Sequence, residues 1–207
     1  MKPHIIGIAG PSSSGKTELA RQLAGKLPGA SIVSLDSYYR GMEEIPLEAR
    51  KKVNFDHPDA IEWPLLRRHL QALAAGRPFH EPVYSFSEYA RTHQTRRIEP
   101  SEFVVVEGLF VLYWPELRDL LDTKVYVETD PGVCFNRRLT RDVAERGRTP
   151  ESVLEQYRRT VQPSAEWFVI PTRKFADLTV SGEEPLANST AAVVGALDRA
   201  TSAAGAH

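Results

Sequence analysis

Cysteine is nearly absent from this chain. One residue of 207, Cys134, is a cysteine, so an intramolecular disulfide and a cysteine-built zinc site are both excluded. The lone thiol lies in an arginine-rich helical stretch and reads as small packing material. A surplus of charge is also missing. Lys and Arg total 26 against 27 Asp and Glu, a net charge of −1, whereas a protein that coats nucleic acid needs a basic excess. Long hydrophobic runs are missing too. The longest, from Phe103 to Trp114, is broken by Glu107 and Gly108 and falls well short of the ~20 residues of a membrane span. Met1-Lys2-Pro3-His4 leads straight into a strand-like run without an apolar leader. These absences predict a soluble cytoplasmic protein with no nucleic-acid and no membrane partner. What remains is a folded composition, 42% hydrophobic and 26% charged, too apolar for disorder.

At ~150 residues per domain, the length fits one domain, 1–207, with an insert at about 40–100, a lid at about 137–160 and a frayed tail at about 201–207. His4 to Ala9 is short, β-branched and bounded by Gly10-Pro11. It reads as a strand buried on both faces, as parallel sheets require. A helical pattern follows from Lys16 to Leu27 and stops at Pro28-Gly29. Further strands are predicted over Ala30–Leu35, Phe103–Val106, Lys124–Val127 and Leu178–Val180. Helices are predicted over Pro115–Leu121, Pro131–Arg146 and Glu151–Phe168, and an Ala-rich one from Leu186 onward. This alternation implies an α/β fold, a five-stranded parallel sheet flanked by helices, with right-handed crossovers. The insert holds six of the fifteen prolines. It reads as loop-like, with one helix over Glu62–Ala75 and with Phe55, Phe79, Tyr84, Phe86 and Tyr89 lining a cleft.

Gly10-Pro11-Ser12-Ser13-Ser14-Gly15-Lys16-Thr17 matches the phosphate loop G-x4-G-K-[ST], with a strand before it and a helix after it. Its glycines let successive N–H groups turn inward toward an anion, and the helix N-terminus adds partial positive charge. In such a loop Lys16 holds the β- and γ-phosphates and Thr17 offers a hydroxyl to Mg²⁺. Asp36 and Glu107 are read as ending strands, at the sheet edge where parallel α/β folds bind ligands. Glu107 suits the acid on the metal side, and Asp36 a base toward an acceptor hydroxyl. The run from Arg137 to Arg148 carries i,i+4 pairs, Arg138–Asp142, Arg141–Glu145 and Asp142–Arg146. It reads either as a solvated salt-bridged face or as a lid whose arginines close on a transferring phosphoryl group.

With Asp36-Ser37-Tyr38-Tyr39, Asn54-Phe55-Asp56-His57-Pro58-Asp59-Ala60, Pro82-Val83-Tyr84, Val106-Glu107-Gly108, Arg138 to Arg148 and Pro171 to Asp177, the chain resembles the uridine kinase (uridine–cytidine kinase) family of P-loop kinases over about Ile5 to Val180. The resemblance implies ATP-dependent phosphorylation of cytidine or uridine at the 5′-hydroxyl, giving CMP or UMP in pyrimidine salvage, with Mg²⁺. GTP is the alternative donor, and a tetramer is the expected assembly. It implies Asp36 as the catalytic acid, Thr17, Asp36 and Glu107 as the magnesium environment, and Lys16, Arg141 and Arg146 as phosphate contacts. Nucleoside contacts are implied at Asp36, Tyr39, Phe55, Asp56, Tyr84, Phe86, Tyr89, Arg138, Arg148 and Gln156.

Three departures stand out. Ser85 replaces an acid, Tyr89 replaces a frequent histidine, and Ser181-Gly182-Glu183-Glu184-Pro185 replaces the family's Pro-Arg-Gly text. A phosphoribulokinase- or pantothenate kinase-like enzyme shares the loop but lacks the Asn54–Ala60 string. A GTPase switch would carry Asn-Lys-x-Asp, which this sequence lacks; a non-catalytic nucleotide-binding regulatory module is the other alternative, and would release ADP without an acceptor. The departure at Tyr89 predicts a preference for cytidine.

Overall fold

A computed structural model describes residues 2–42, 44–50 and 53–204, with side chains described up to residue 199. Its elements, in chain order, are β1 (His4–Ala9), α1 (Lys16–Lys26), β2 (Ser31–Ser34), α2 (Leu47–Arg50), α3 (Trp63–Ala74), β3 (Phe79–Ser85), β4 (Ala90–Ile98), β5 (Phe103–Glu107), α4 (Pro115–Arg118), β6 (Thr123–Glu128), α5 (Pro131–Arg146), α6 (Pro150–Gln156), α7 (Gln162–Ser164), β7 (Leu178–Ser181) and α8 (Leu186–Ala204). Short 3-10 turns cover Leu35–Tyr38 and Pro58–Ala60. A π turn over Tyr157–Val161 joins α6 to α7, and a second, Ala165–Val169, continues α7 into a 3-10 segment over Ile170–Phe175.

Five strands form a parallel sheet in the order β2-β5-β1-β6-β7. Side chains alternate across a strand, and here both faces are covered. Ile5, Ala9, Val104, Val106 and Tyr126 join one buried cluster with Leu66, Leu70 and Leu73 of α3. Ile6, Ile8, Val105, Val125 and Val127 join a second with Leu19 and Leu23 of α1 and with Val193 and Leu197 of α8. That is why these strands read as continuous apolar runs in the sequence. Among the described residues no helix is long and apolar enough to cross a membrane.

The region from 40 to 100 is more ordered than its composition predicts. β3 and β4 form an antiparallel two-stranded sheet of their own, with Phe79 opposite Ile98 and a register shift between Pro82 and Tyr84. Phe79 and Tyr84 therefore sit on a strand, not in loops. The hairpin escapes a periodicity reading because β4 is polar along most of its length and exposed from His93 to Arg97. It docks on the main sheet through Glu81, whose carboxylate is buried. Glu81 accepts from the Ser34 N–H at 3.1 Å and from Arg96 Nε at 2.9 Å, and Arg96 Nη2 also donates to the Ile32 carbonyl at 2.9 Å.

Beneath the insert, the Tyr38 hydroxyl meets His69 Nδ1 at 2.9 Å, and the His69 ring stacks on Phe79 at 4.2 Å between centroids. Burial, then the nearby Arg68 and Arg91 guanidinium groups, pull the His69 pKa down from 6.5 to about 4, with Glu62 opposing. The folded protein thus keeps His69 neutral while the unfolded chain takes up a proton near pH 6.5. His69 contributes stability above that pH, and the contribution is lost as pH falls toward 4. We expect the urea midpoint to drop between pH 7 and pH 5, and by less in His69→Gln. Identical drops in the two proteins would assign the pH dependence to other groups.

Candidate active site

The phosphate loop joins β1 to α1 at the carboxyl edge of the sheet. Its backbone curls through left-handed conformations at Ser13 (φ 64°) and Gly15 (φ 97°), which turns neighbouring N–H groups toward one point. Only Gly15 adopts such an angle without a Cβ penalty; Ser13 holds it as part of the loop. The Ser13 and Ser14 hydroxyls are buried and make no hydrogen bond within the described residues. Lys16, largely buried, donates Nζ to the Pro11 carbonyl at 3.2 Å across the loop. The loop is clamped from behind. Thr129 Oγ1 donates to the Ser14 carbonyl at 2.9 Å. A Cβ on Gly182 would come within 2.0 Å of that carbonyl oxygen and 2.2 Å of Thr129 Oγ1.

Glu107, buried at the end of β5, accepts from Thr17 Oγ1 at 3.0 Å and from Ser34 Oγ at 2.6 Å. Burial and then the Asp36 carboxylate push its pKa up, and the Lys16 ammonium partly opposes them. Asp36 does not end a strand as predicted. β2 stops at Ser34, and Asp36 rides on the 3-10 turn Leu35–Tyr38. The turn still delivers it into the cleft.

A cleft of about 990 Å³ unites the sites that the sequence analysis singles out. Ser12, Ser13, Gly15, Lys16 and Thr17 line one end, with Asp36 also on the wall. Tyr39, Phe55, Asp56, Tyr84, Phe86 and Tyr89 line the other, and Arg138, Arg141, Arg146, Arg148 and Gln156 roof it. Gly10, Pro11, Ser14 and Glu107 support the walls without lining them. The aromatic end is a mutual lattice. Tyr39 packs on Tyr84 at 5.1 Å and on Phe55 at 5.5 Å, Phe55 on Tyr89 at 5.6 Å, and Tyr84 on Phe86 at 5.4 Å. Tyr89 holds φ 51°, a strained angle for a large side chain.

Arg138 ties the two ends together. It donates to Ser12 Oγ at 2.9 Å and to Gln156 Oε1 at 3.2 Å, and stands 3.6 Å from Asp56 Oδ1. Burial raises the Asp56 pKa first, and Arg138 opposes the shift. Arg148 spends donors on Gln156 Oε1 and the Ser152 carbonyl. Arg146 lies over the Phe86 ring at 4.8 Å. The predicted Arg141–Glu145 pair is replaced: Arg141 turns to Asp142 at 2.9 Å.

The far wall is not legible in the sequence motifs: Arg137, Gly182, Glu184 and Ser189 also line the cleft. Arg137 Nη1 donates to the Gly182 carbonyl at 2.9 Å. The Ser181–Pro185 turn was the available signal for it.

Residues 5–184 match the profile of the Phosphoribulokinase / Uridine kinase family. The chain belongs to that family. It is 46% identical over 182 residues to a uridine kinase of Deinococcus deserti, covering 87% of this chain and 88% of that one. It is 44% identical over 191 residues to a uridine kinase of Lactobacillus helveticus, covering 90% of each. The phosphoribulokinase structure from Rhodobacter spheroides superposes with a TM-score of 0.66 at 19% identity, over 89% of this chain and 74% of that one. That likeness carries the fold, a P-loop kinase sheet with its flanking helices.

Gly182 sets how closely β7 approaches the phosphate loop. Gly182→Ala forces Ser14 or Thr129 aside. A shift of ~1 Å at a site that positions reactants costs up to about 100-fold, so kcat/KM for ATP should fall by roughly tenfold or more. Steady-state kinetics on the variant, with circular dichroism to verify folding, checks this. Full activity would mean that the loop is not seated by this contact.

Proposed function

We propose that this chain transfers the γ-phosphoryl group of ATP to the 5′-hydroxyl of a pyrimidine ribonucleoside, cytidine in preference to uridine. One observation carries the reading. A phosphate loop and an aromatic pocket with a buried carboxylate open into the same cleft, with Asp36 on the wall they share. Phe55, Tyr84 and Phe86 offer the cleft an aromatic lining suited to a flat base, and the Asp56 carboxyl suits ribose hydroxyls. The uridine kinase names of the relatives point the same way.

In this reading Asp36 orients the 5′-hydroxyl and takes its proton. The 5′-oxygen forms the new bond to the γ-phosphorus as the bond to the β–γ bridging oxygen breaks, and that electron pair leaves with ADP. Lys16, Arg141 and Arg146 offset the charge on the transferring and leaving oxygens. Thr17, Glu107 and Asp36 suit Mg²⁺. A hydroxyl sits beside two mutually repelling carboxylates, and the described residues hold no cluster of three or more acidic, His or Cys ligands. Such a site holds Mg²⁺ through few protein ligands plus phosphate and water. Bound there, Mg²⁺ supplies charge neutralisation to the β- and γ-phosphates.

A coupled ADP-release assay over a nucleoside panel tests the substrate class. Turnover should require cytidine or uridine, and ADP release indifferent to the acceptor would overturn it. Asp36→Asn should retain the fold and lose turnover by roughly 100-fold or more; near-normal turnover would remove Asp36 from its role.

The choice of base rests on Tyr89. Cytosine presents an amino donor where uracil presents an oxygen. With its own proton committed elsewhere, the Tyr89 hydroxyl acts only as acceptor; it then pairs with the first and opposes the second. An unpaired buried polar group costs ~1–3 kcal/mol, or roughly 5- to 150-fold. Histidine serves both patterns, because its ring nitrogens donate or accept, and it tolerates positive φ better than most residues. Tyr89→His should therefore recover uridine use. Equal kcat/KM for the two nucleosides in the unmodified protein would refute the preference.

A further inference from the structure

The roof of the cleft is organised by one residue that the reaction above does not use. Asp142 is fully buried in α5. Arg141 Nη2 stands 2.9 Å and Arg146 Nη1 3.3 Å from its Oδ1; Arg138 Nε stands 3.4 Å and Arg148 Nη1 3.8 Å from its Oδ2. Helical spacing explains part of this, since Arg138 and Arg146 lie one turn to either side. The chain reversal explains the rest. Gly147 caps α5 at φ 61°, and its N–H and that of Arg148 both donate to the Asp142 carbonyl. Backbone and side chain of one residue thus return Arg148 to the cluster.

The charges do not balance. Four guanidinium groups stand around Asp142, and of these Arg138 also reaches Asp56; even with Asp36 acting on Arg146, the guanidinium groups outnumber the carboxylates set among them. Arg146 feels it: burial, then repulsion from Arg141, lower its pKa. The contacts to Oδ2 are ionic without being directional. Asp142 Oδ2 and Arg138 Nε are both buried, and neither makes a hydrogen bond among the described residues. A carboxylate held this way fixes where the guanidinium groups stand and leaves their donors only partly used.

We propose that Asp142 is a positioning residue, an internal anion that spaces the four roof arginines for a phosphate chain and competes with that chain for them. It touches neither nucleotide nor acceptor. Removing its charge should have two effects of opposite sign. Ground-state attraction for a polyphosphate rises, because one competitor is gone. Turnover falls, because the guanidinium groups are no longer set where charge develops during transfer. A residue that only stabilises the fold would weaken both together.

The proposal rests on the reading of the cleft as a phosphoryl-transfer site, but its test needs no acceptor. The probe is inorganic tripolyphosphate, titrated calorimetrically into the full chain. Asp142→Asn should bind it at least about three- to fivefold more tightly, the scale of one charge pair between the added anion and the partly exposed guanidinium groups, while kcat falls by roughly tenfold or more. Unchanged or weaker tripolyphosphate binding in a folded variant would overturn the proposal, as would a kcat within about twofold of the unmodified protein.

Loss of a buried carboxylate from among arginines can itself prevent folding. A charge-balanced pair of variants covers that outcome. Arg146→Gln alone should weaken tripolyphosphate binding, and Arg146→Gln with Asp142→Asn should regain about three- to fivefold. No gain in the double variant would overturn the role of Asp142 whichever nucleoside the enzyme takes. A gain, together with no turnover of any pyrimidine nucleoside by the unmodified protein, would leave that role standing and remove the acceptor.

Discussion

The site depends on one constraint: parallel strands all end at the same edge of their sheet. β1 and β5 run side by side in register, with Ile8 opposite Glu107, so the phosphate loop that leaves β1 and the acid that ends β5 emerge together. β2 pairs with the other side of β5, Ser34 opposite Glu107, and the next turn carries Asp36. No long-range folding of loops is needed to gather these groups. Burial of Val104, Val105 and Val106 between two helical layers holds the register, and a slip of one residue would turn Glu107 away from Thr17.

Electrostatics then divides the cleft. Asp36 and Asp56 bring carboxyl groups to one wall, with Glu107 behind it, while Lys16 and the arginines of α5 place positive charge on the phosphate-loop side and roof. Arg138 bridges them by reaching Ser12, Asp56 and Gln156 at once. The cleft therefore presents surfaces of opposite character within one cavity. Arg146 lies against Phe86 as well as Asp142, so the roof touches the hairpin that walls the aromatic end of the cleft.

That hairpin is the fold's main addition to a bare phosphate-loop sheet. Two strands alone are marginal in water. β3 and β4 persist because Glu81 and Arg96 fasten them to β2, and because Phe79 and Ile98 reach the core. The same contacts hold the backbone at Ser34, two residues before Asp36. The hairpin and the turn that carries Asp36 are thus one mechanical unit.

Local chemistry made much of this legible in the sequence. The loop Gly10–Thr17 needs only its own glycines, the strand before it and the helix after it, and β1 announces itself by unbroken burial on both faces. The sites of Phe55, Asp56 and Tyr84 were legible through likeness to a family, and they do meet in one cleft. Three features waited for the tertiary structure. The β3–β4 hairpin was hidden because a polar, solvent-facing strand carries no apolar alternation. The turn at Asp36 was read as strand because Leu35 is apolar, while its path is set by Glu81 and Glu107 pulling on Ser34 from two directions. Asp142 stood in the sequence as one of several salt-bridge partners on a helix. Spacing along α5 brings it Arg138 and Arg146, but the reversal at Gly147 returns Arg148, and packing removes the water that would screen the cluster. Periodicity and motif are properties of neighbours in the chain; a buried charge owes its partners to the whole fold.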